Sequence, residues 1–143
     1  MHSTMFKKII PASKAENEVE LQQVAFKHGF TPRIYEVIKE PKYWTVLMED
    51  LGEENTLEQI YGDDARNIPD YIWEQIVHIL RTLLEEEGIE YVDITPYNFI
   101  EKFGKVYVID FGDAKYTDEN IPVNEFLQEF LDSEGYTWNP DFK

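Results

Sequence analysis

The chain contains no cysteine among its 143 residues. A disulfide framework, a thiolate zinc site and a cysteine nucleophile are excluded together. Histidine is almost as scarce: His2, His28 and His78 lie far apart and show no metal-ligand spacing. No apolar run approaches the ~20 residues that a membrane-spanning helix requires. Residues 1–14 carry no long apolar stretch behind their basic residues, so no secretory signal is expected and a cytoplasmic or nuclear location is. Positive charge is also in short supply: 13 Lys and Arg against 29 Asp and Glu leave a net charge of −16. That balance argues against direct contact with a nucleic acid backbone. What the chain does have is core material. At 43% hydrophobic and 15% aromatic, it can build one compact domain and is not a disordered chain.

The charge is unevenly placed. Residues 1–44 carry seven Lys/Arg and five Asp/Glu, for +2, whereas residues 45–143 carry six and twenty-four, for −18. A solvated acidic surface accounts for this. So does a small basic lobe facing an acidic one, the first holding a polyanionic ligand and the second a divalent cation.

Along the chain, residues 4–10 (TMFKKII) read as a short strand broken by Pro11, Ala12 and Ser13. Residues 15–28 read as an amphipathic helix, with Leu21, Ala25 and His28 at helical spacing and Glu18 on the same side; Gly29 and Pro32 supply its stop. Two β-type runs, 33–38 and 43–48, flank Pro41 and predict a hairpin. A polar crossing segment (49–55) and a short helix (56–61) follow. Residues 69–88 predict the longest helix, with Ile72, Ile76, Leu80 and Leu83 as its apolar stripe. Pro69 suits its first turn and Gly88 its stop. Glu85, Glu86 and Glu87 oppose the dipole at its end, for which the sequence offers no reason. A second small hairpin is expected over 99–109 around Gly104, a last short helix over 123–131, and an irregular aromatic tail over 135–143. In that tail Trp138 and Phe142 are expected to anchor in the core. His28 and His78 are expected at the surface or at helix ends.

The residues that carry chemistry are Asp93-Ile-Thr-Pro-Tyr-Asn98 and, twelve residues after Asn98, Asp110-Phe111-Gly112. One carboxylate, an amide five residues on, a short hairpin and a second carboxylate at a strand end form the combination that phosphoryl transfer needs. An Asp can orient the attacking hydroxyl, while an amide oxygen and a carboxylate hold Mg²⁺ against a triphosphate. The hairpin brings Asn98 and Asp110 together, and clustered acceptors of this kind are costly unless a cation fills the gap.

On these residues the chain resembles the protein-kinase-like superfamily. Asp93 and Asn98 match the Asp-to-Asn spacing of the catalytic loop, and Asp110-Phe111-Gly112 matches the metal-binding Asp-Phe-Gly. Tyr91 stands where that family has His, Val92 where it has Arg or Gly, and Thr95 where Ser/Thr kinases carry Lys. The last substitution is more similar to small atypical kinases, such as the kinase subunit of the KEOPS tRNA-modification complex and the RIO group. The resemblance covers residues 5 to about 115. It implies a strand Lys that holds the α/β-phosphates, Lys8 or Lys7 with Lys8 favoured, and a helix Glu that holds the Lys, Glu18 ahead of Glu20. It also implies that the segment from Met48 to Leu51, Glu49 included, is the hinge that meets adenine through backbone groups. Tyr91 is expected to pack the catalytic loop, and Asp113 to be exposed rather than a third metal ligand.

Departures from the family matter as much. No glycine-rich loop precedes the Lys strand, no Ala-Pro-Glu element follows Asp110, and only thirty-three residues lie beyond Asp110. The expected fold is α+β: a reduced protein-kinase-like domain over 1–143, with a first lobe of small antiparallel sheet and one helix (1–49) and a truncated, mostly helical second lobe (50–143). The expected function is a Mg-ATP-dependent phosphotransferase or ATPase. Asp93, Lys8 and Glu18 are its catalytic residues, Lys8, Glu49, Leu51, Asn98 and Asp110 meet the nucleotide, and Asn98 and Asp110 hold Mg²⁺. The alternative is a catalytically inactive kinase-like interaction module. A small-molecule kinase is a third reading, for which the short C-terminal region leaves little room. Without the strands of the glycine-rich loop, the stretch from Met5 to Ile10 is expected to be a sheet edge. It would present Phe6, Ile9 and Ile10 and be covered by a second copy of the chain or by a partner protein. The competing expectation is that the aromatic tail folds back over it.

Overall fold

A computed structural model of the protein describes residues 5–133 and 135–142. Thr4, at the start of the expected first strand, lies outside the described residues, as do His2 and Lys143. The chain opens with β1 (Met5–Pro11), α1 (Ala12–Lys27), β2 (Ile34–Lys39) and β3 (Tyr43–Glu49). These strands form an antiparallel sheet in the order β1-β3-β2, in which Lys8 lies opposite Val46 and Ile10 opposite Trp44. Pro11 does not separate strand from helix, as expected, by a three-residue break. It ends β1 and is itself the N-cap of α1, at φ −55°. Its ring presets the dihedral a helix entry requires and its missing N–H would have had no helical partner, so α1 begins three residues earlier than the periodicity predicts.

Ile10, Ala15, Val19, Val46 and Met48 make a small apolar cluster between the sheet and α1. Ile10 therefore points inward and is buried, correcting its expected place on the exposed edge. Gln22, also buried, stays satisfied by donating to the Pro32 carbonyl at 3.0 Å.

The remaining elements are α2 (Leu57–Tyr61), α3 (Asp70–Glu87), β4 (Ile89–Glu90), β5 (Phe99–Lys102), β6 (Lys105–Val108), β7 (Lys115–Tyr116) and α4 (Glu125–Asp132). Thr56 caps α2 by accepting from the Gln59 N–H at 3.3 Å. The stripe of α3 is buried through Ile72, Ile76, Leu80 and Leu83, each worth about 1.5–3 kcal/mol of burial. Gly88 ends α3 in the left-handed region at φ 65°, where a side chain would be strained. The acidic end of α3 finds a partner across the chain: His28 Nε2, at the C-cap of α1, lies 2.8 Å from Glu87 Oε2. The second apolar cluster gathers these helices with Tyr91, Ile94, Phe99, Val108 and Phe111. Val108 N–H donates to the Phe30 carbonyl at 2.7 Å and ties β6 to the loop after α1.

The described residues of the tail, 135–142, pack on α3 and not on β1. Trp138 packs on Trp73 with ring centroids 4.7 Å apart, and Tyr136 stacks on the same indole at 5.6 Å. Among the described residues β1 has β3 as its only strand neighbour. Phe142 is not the core anchor it was expected to be; it lines a cavity that Asp93 also borders.

Candidate functional site

β1 places Lys8 on the side of the sheet that faces α1. Its Nζ forms an ion pair with Glu18 of α1 and lies 3.4 Å from Asp110 Oδ1. Glu18 is buried, so the ammonium is what compensates its charge. Lys7 is exposed on the opposite face, and Glu20 is exposed on α1. The alternation of β1 and the period of α1 thus bring Lys8 and Glu18, not Lys7 and Glu20, to one point.

Asp110 follows β6 with φ 63°, an uncommon backbone state for a non-glycine residue. Two interactions hold it there. Tyr91, fully buried between Phe99 and Phe111, shares its one hydroxyl proton between the carbonyls of Ile109 (2.6 Å) and Asp110 (2.8 Å). Burial, then the nearby carboxylates of Asp110 and Asp93, push the Tyr91 phenol well above its usual range, so it remains a donor. The Gly112 N–H donates to Asp110 Oδ1 at 2.9 Å. A Cβ on Gly112 would stand 3.1 Å from Asp110 Oδ1 and 3.3 Å from Glu18 Oε1, tight enough to push two site carboxylates aside.

The loop between β4 and β5 carries Asp93 and Asn98. Asn98 is buried and its Nδ2 donates to the Asp93 carbonyl at 3.0 Å. The Ile109 N–H donates to the Asn98 carbonyl at 2.8 Å, which locks the loop to the strand end before Asp110. Burial raises the Asp93 carboxyl above its ordinary value; a hydrogen bond from Asn98 opposes this, and the charges of Asp110 and Asp113 add to it. Asp113 itself is exposed.

A cavity of about 270 Å³ opens between the sheet and this loop. Phe6, Met48, Leu51, Ile100 and Ile109 give it apolar walls, and Lys8, Asn98 and Asp110 line its polar end. Glu49 also lines it. The Arg33 N–H donates to the Glu49 carboxylate at 3.3 Å rather than to its carbonyl, and the Glu49 N–H is taken by the Arg33 carbonyl at 2.8 Å. The Leu51 carbonyl accepts from Asn55 at 2.8 Å. Another cavity, of about 510 Å³, is bordered by Asp93, Thr95, Tyr97, Asn98, Asp113 and Phe142, so Tyr97 and Asn98 line both. Among the described residues, no three His, Asp or Glu side chains converge to hold a metal ion by themselves, and no helix is long and apolar enough to cross a membrane.

Two features of the site escaped the sequence reading. The two-residue ladder of β4 with β7, which pins the start of the loop, is too short for any periodic signal. The contact of Asn139 with the loop comes from an irregular segment, where no pattern marks a single amide.

This arrangement of sheet, helix, loop and hairpin defines a reduced protein-kinase-like fold. It aligns with the structure of the Cydia pomonella granulovirus kinase PK-1 at a TM-score of 0.64 and 13% identity, covering 81% of this chain and 47% of that one. The sequence then narrows the class: residues 2–130 match the RIO domain family, and the chain belongs to that family. A curated relative, the probable serine/threonine-protein kinase BUD32 homolog of Archaeoglobus fulgidus, is 27% identical over 90 residues, which is 62% of this chain and 46% of the relative. The chain spans about half the length of these two proteins.

Proposed function

We propose that the chain binds Mg-ATP in the 270 Å³ cavity and transfers its terminal phosphoryl group, as a phosphotransferase or an ATPase. The observation that carries this reading is the convergence of Lys8, Glu18 and Asp110 with Asn98 across four separate elements. A binding module without chemistry has no use for a buried carboxylate and a half-exposed one that share a single ammonium. The apolar slot between Met48 and Ile109 suits a purine. The Glu49 carbonyl and the Leu51 N–H are the backbone groups that would meet its edge. Lys8 would hold phosphate oxygens, with Glu18 fixing the Lys.

The donor set fits magnesium: one carboxylate and one amide oxygen, with phosphate and water completing the octahedron, is how Mg²⁺ is commonly held. When bound, the ion neutralises charge on the phosphates. Asp93, which borders the adjoining cavity together with Asn98, would accept the proton of the attacking hydroxyl. We divide the domain at Glu49, with 1–49 as the first lobe and 50–143 as the second. Incubation with γ-labelled ATP and Mg²⁺ tests the reading: label is expected to pass to protein or to free phosphate, and Asp93→Asn to lower the rate about 100-fold or more. Nucleotide binding with no release of label from the wild-type chain would instead mark an interaction module.

The open edge of β1 supports a protein partner. The Ala12 N–H donates to the Lys42 carbonyl at 2.9 Å. In an antiparallel ladder this puts the even residues of β1 in the pairs bonded to β3 and turns the N–H and C=O groups of Met5, Lys7 and Ile9 outward. Met5 and Ile9 are more than half exposed, with Lys7 between them. A two-fold pairing of two copies centred there would set Lys7 against Lys7. An extended segment with an acidic residue between two apolar ones meets all three positions, and we infer a partner strand of that kind. A peptide of alternating Val and Glu is expected to bind the wild-type chain. Ile9→Pro, which removes an outward donor while sparing the β1–β3 ladder, is expected to lose that binding without loss of fold. Equal binding by both would contradict the edge assignment.

A further inference from the structure

The irregular tail reaches the catalytic loop through one residue. Asn139 is buried, its Nδ2 donates to the Val92 carbonyl at 2.9 Å and its backbone N–H donates to the Ile94 carbonyl at 2.9 Å. These are the two carbonyls that flank Asp93. The remaining polar groups of Asn139 shape the tail: Oδ1 accepts from the Asp141 N–H at 3.1 Å and its carbonyl accepts from the Phe142 N–H at 3.2 Å. Donor and acceptor are thus both used, in a buried position where an unmet polar group costs about 1–3 kcal/mol. The segment cannot slide along the loop, because Trp138 next to it is seated against Trp73.

We propose that Asn139 is a positioning residue for Asp93, resting on the phosphotransferase reading above. By gripping the chain immediately before and after Asp93, it fixes the backbone from which that carboxylate projects. Loop placement of this kind matters because a reacting group displaced by ~1 Å can cost about 100-fold in rate. The same turn brings Phe142 to the cavity that Asp93 borders, so the tail is built against the site rather than merely against the helices. None of the residues assigned to the nucleotide, Lys8, Glu18, Asn98 or Asp110, hydrogen-bonds to Asn139. Asn98 meets the gripped segment only through the Asp93 carbonyl, so the effect is expected mainly on turnover and much less on nucleotide affinity.

The test uses the full chain and two variants. Asn139→Ala removes both side-chain contacts. Asn139→Ser keeps a short polar side chain without adding charge and loses the reach to Val92, so it remains informative if the first variant fails to fold. Hydrogen exchange at the amides of Ile94 and Thr95 is expected to accelerate about tenfold or more, with β5, β6 and α3 unchanged. The kcat for ATP hydrolysis is expected to fall about tenfold with the KM for ATP within twofold of wild type. Faster loop exchange in a chain whose wild type does not turn over ATP would support the clamp and fail the phosphotransferase reading. Unchanged exchange at these amides would overturn the proposal, as would a uniform acceleration over the whole chain in both variants, which marks a purely structural residue.

Discussion

Lys8→Met is expected to weaken ATP binding tenfold to 100-fold and to lower stability in the same step. The nucleotide effect follows from losing the charge-assisted contact to phosphate, worth about 1.5–3 kcal/mol. The stability effect has a different origin. Glu18 is buried and has Lys8 as its ion-pair partner, with Asp110 close by. Removing the ammonium leaves one carboxylate buried and another near it. A fully buried pair broken in this way costs about 3–5 kcal/mol; because the Lys8 side chain is 28% exposed, we expect roughly 1–2 kcal/mol, or about 3 to 8 °C in melting temperature. The double variant Lys8→Met with Glu18→Gln separates the two effects. It removes the orphaned charge, so most of the stability should return, while ATP binding should stay weak. Thermal melts and calorimetry on the two singles and the double form the cycle. Recovery of ATP binding in the double variant would mean that Lys8 acts on Glu18 alone and not on phosphate.

Asp110→Asn is expected to leave the ligand-free melt within about 1 kcal/mol of wild type and to abolish stabilisation by Mg-ATP. Three local terms nearly cancel. The 3.4 Å contact with Lys8 is lost, but Asp110 is half exposed and such pairs are worth about 0–1 kcal/mol. Repulsion with Asp93, which contributes to raising that carboxyl, is relieved. Asn is also at ease at φ 63°, and its Oδ1 can still accept from Gly112. What the amide cannot supply is the negative charge that a hard divalent cation requires. A site residue whose loss costs function but little stability is the signature expected of a group placed for its ligand.

Much of this site was open to sequence reading because its signals are local. The spacing from Asp93 to Asn98 and the Asp110-Phe111-Gly112 run survive without their surroundings, and the stripe of α3 is long enough for its period to be unambiguous. Lys8 and Glu18 could be paired because the kinase resemblance asks for a strand Lys and a helix Glu, and helix periodicity puts Glu18 on the inner face. The parts that stayed hidden depend on contacts between distant, irregular segments. Pro11 as a helix cap, Ile10 turned inward, Glu87 meeting His28, and Asn139 gripping the loop are each decided by what lies opposite in space, which no window of neighbouring residues encodes. The placement of Phe142 shows the same limit: an aromatic residue in an irregular tail reads as core, yet the turn set by Asn139 carries it to the cavity beside Asp93.

The claim that a magnesium nucleotide occupies the cavity lined by Lys8, Asn98 and Asp110 is tested most directly by the melting temperature of the wild-type chain with ATP, measured in Mg²⁺ and again in chelator. A ligand that binds only the folded state raises stability by about 2.7 kcal/mol at 100 times its Kd. The expected result is a clear rise with ATP in Mg²⁺ and little or none in chelator. An equal rise in both, or none in either, would contradict the assignment of Asn98 and Asp110 as the cation's ligands and of the cavity as its nucleotide site.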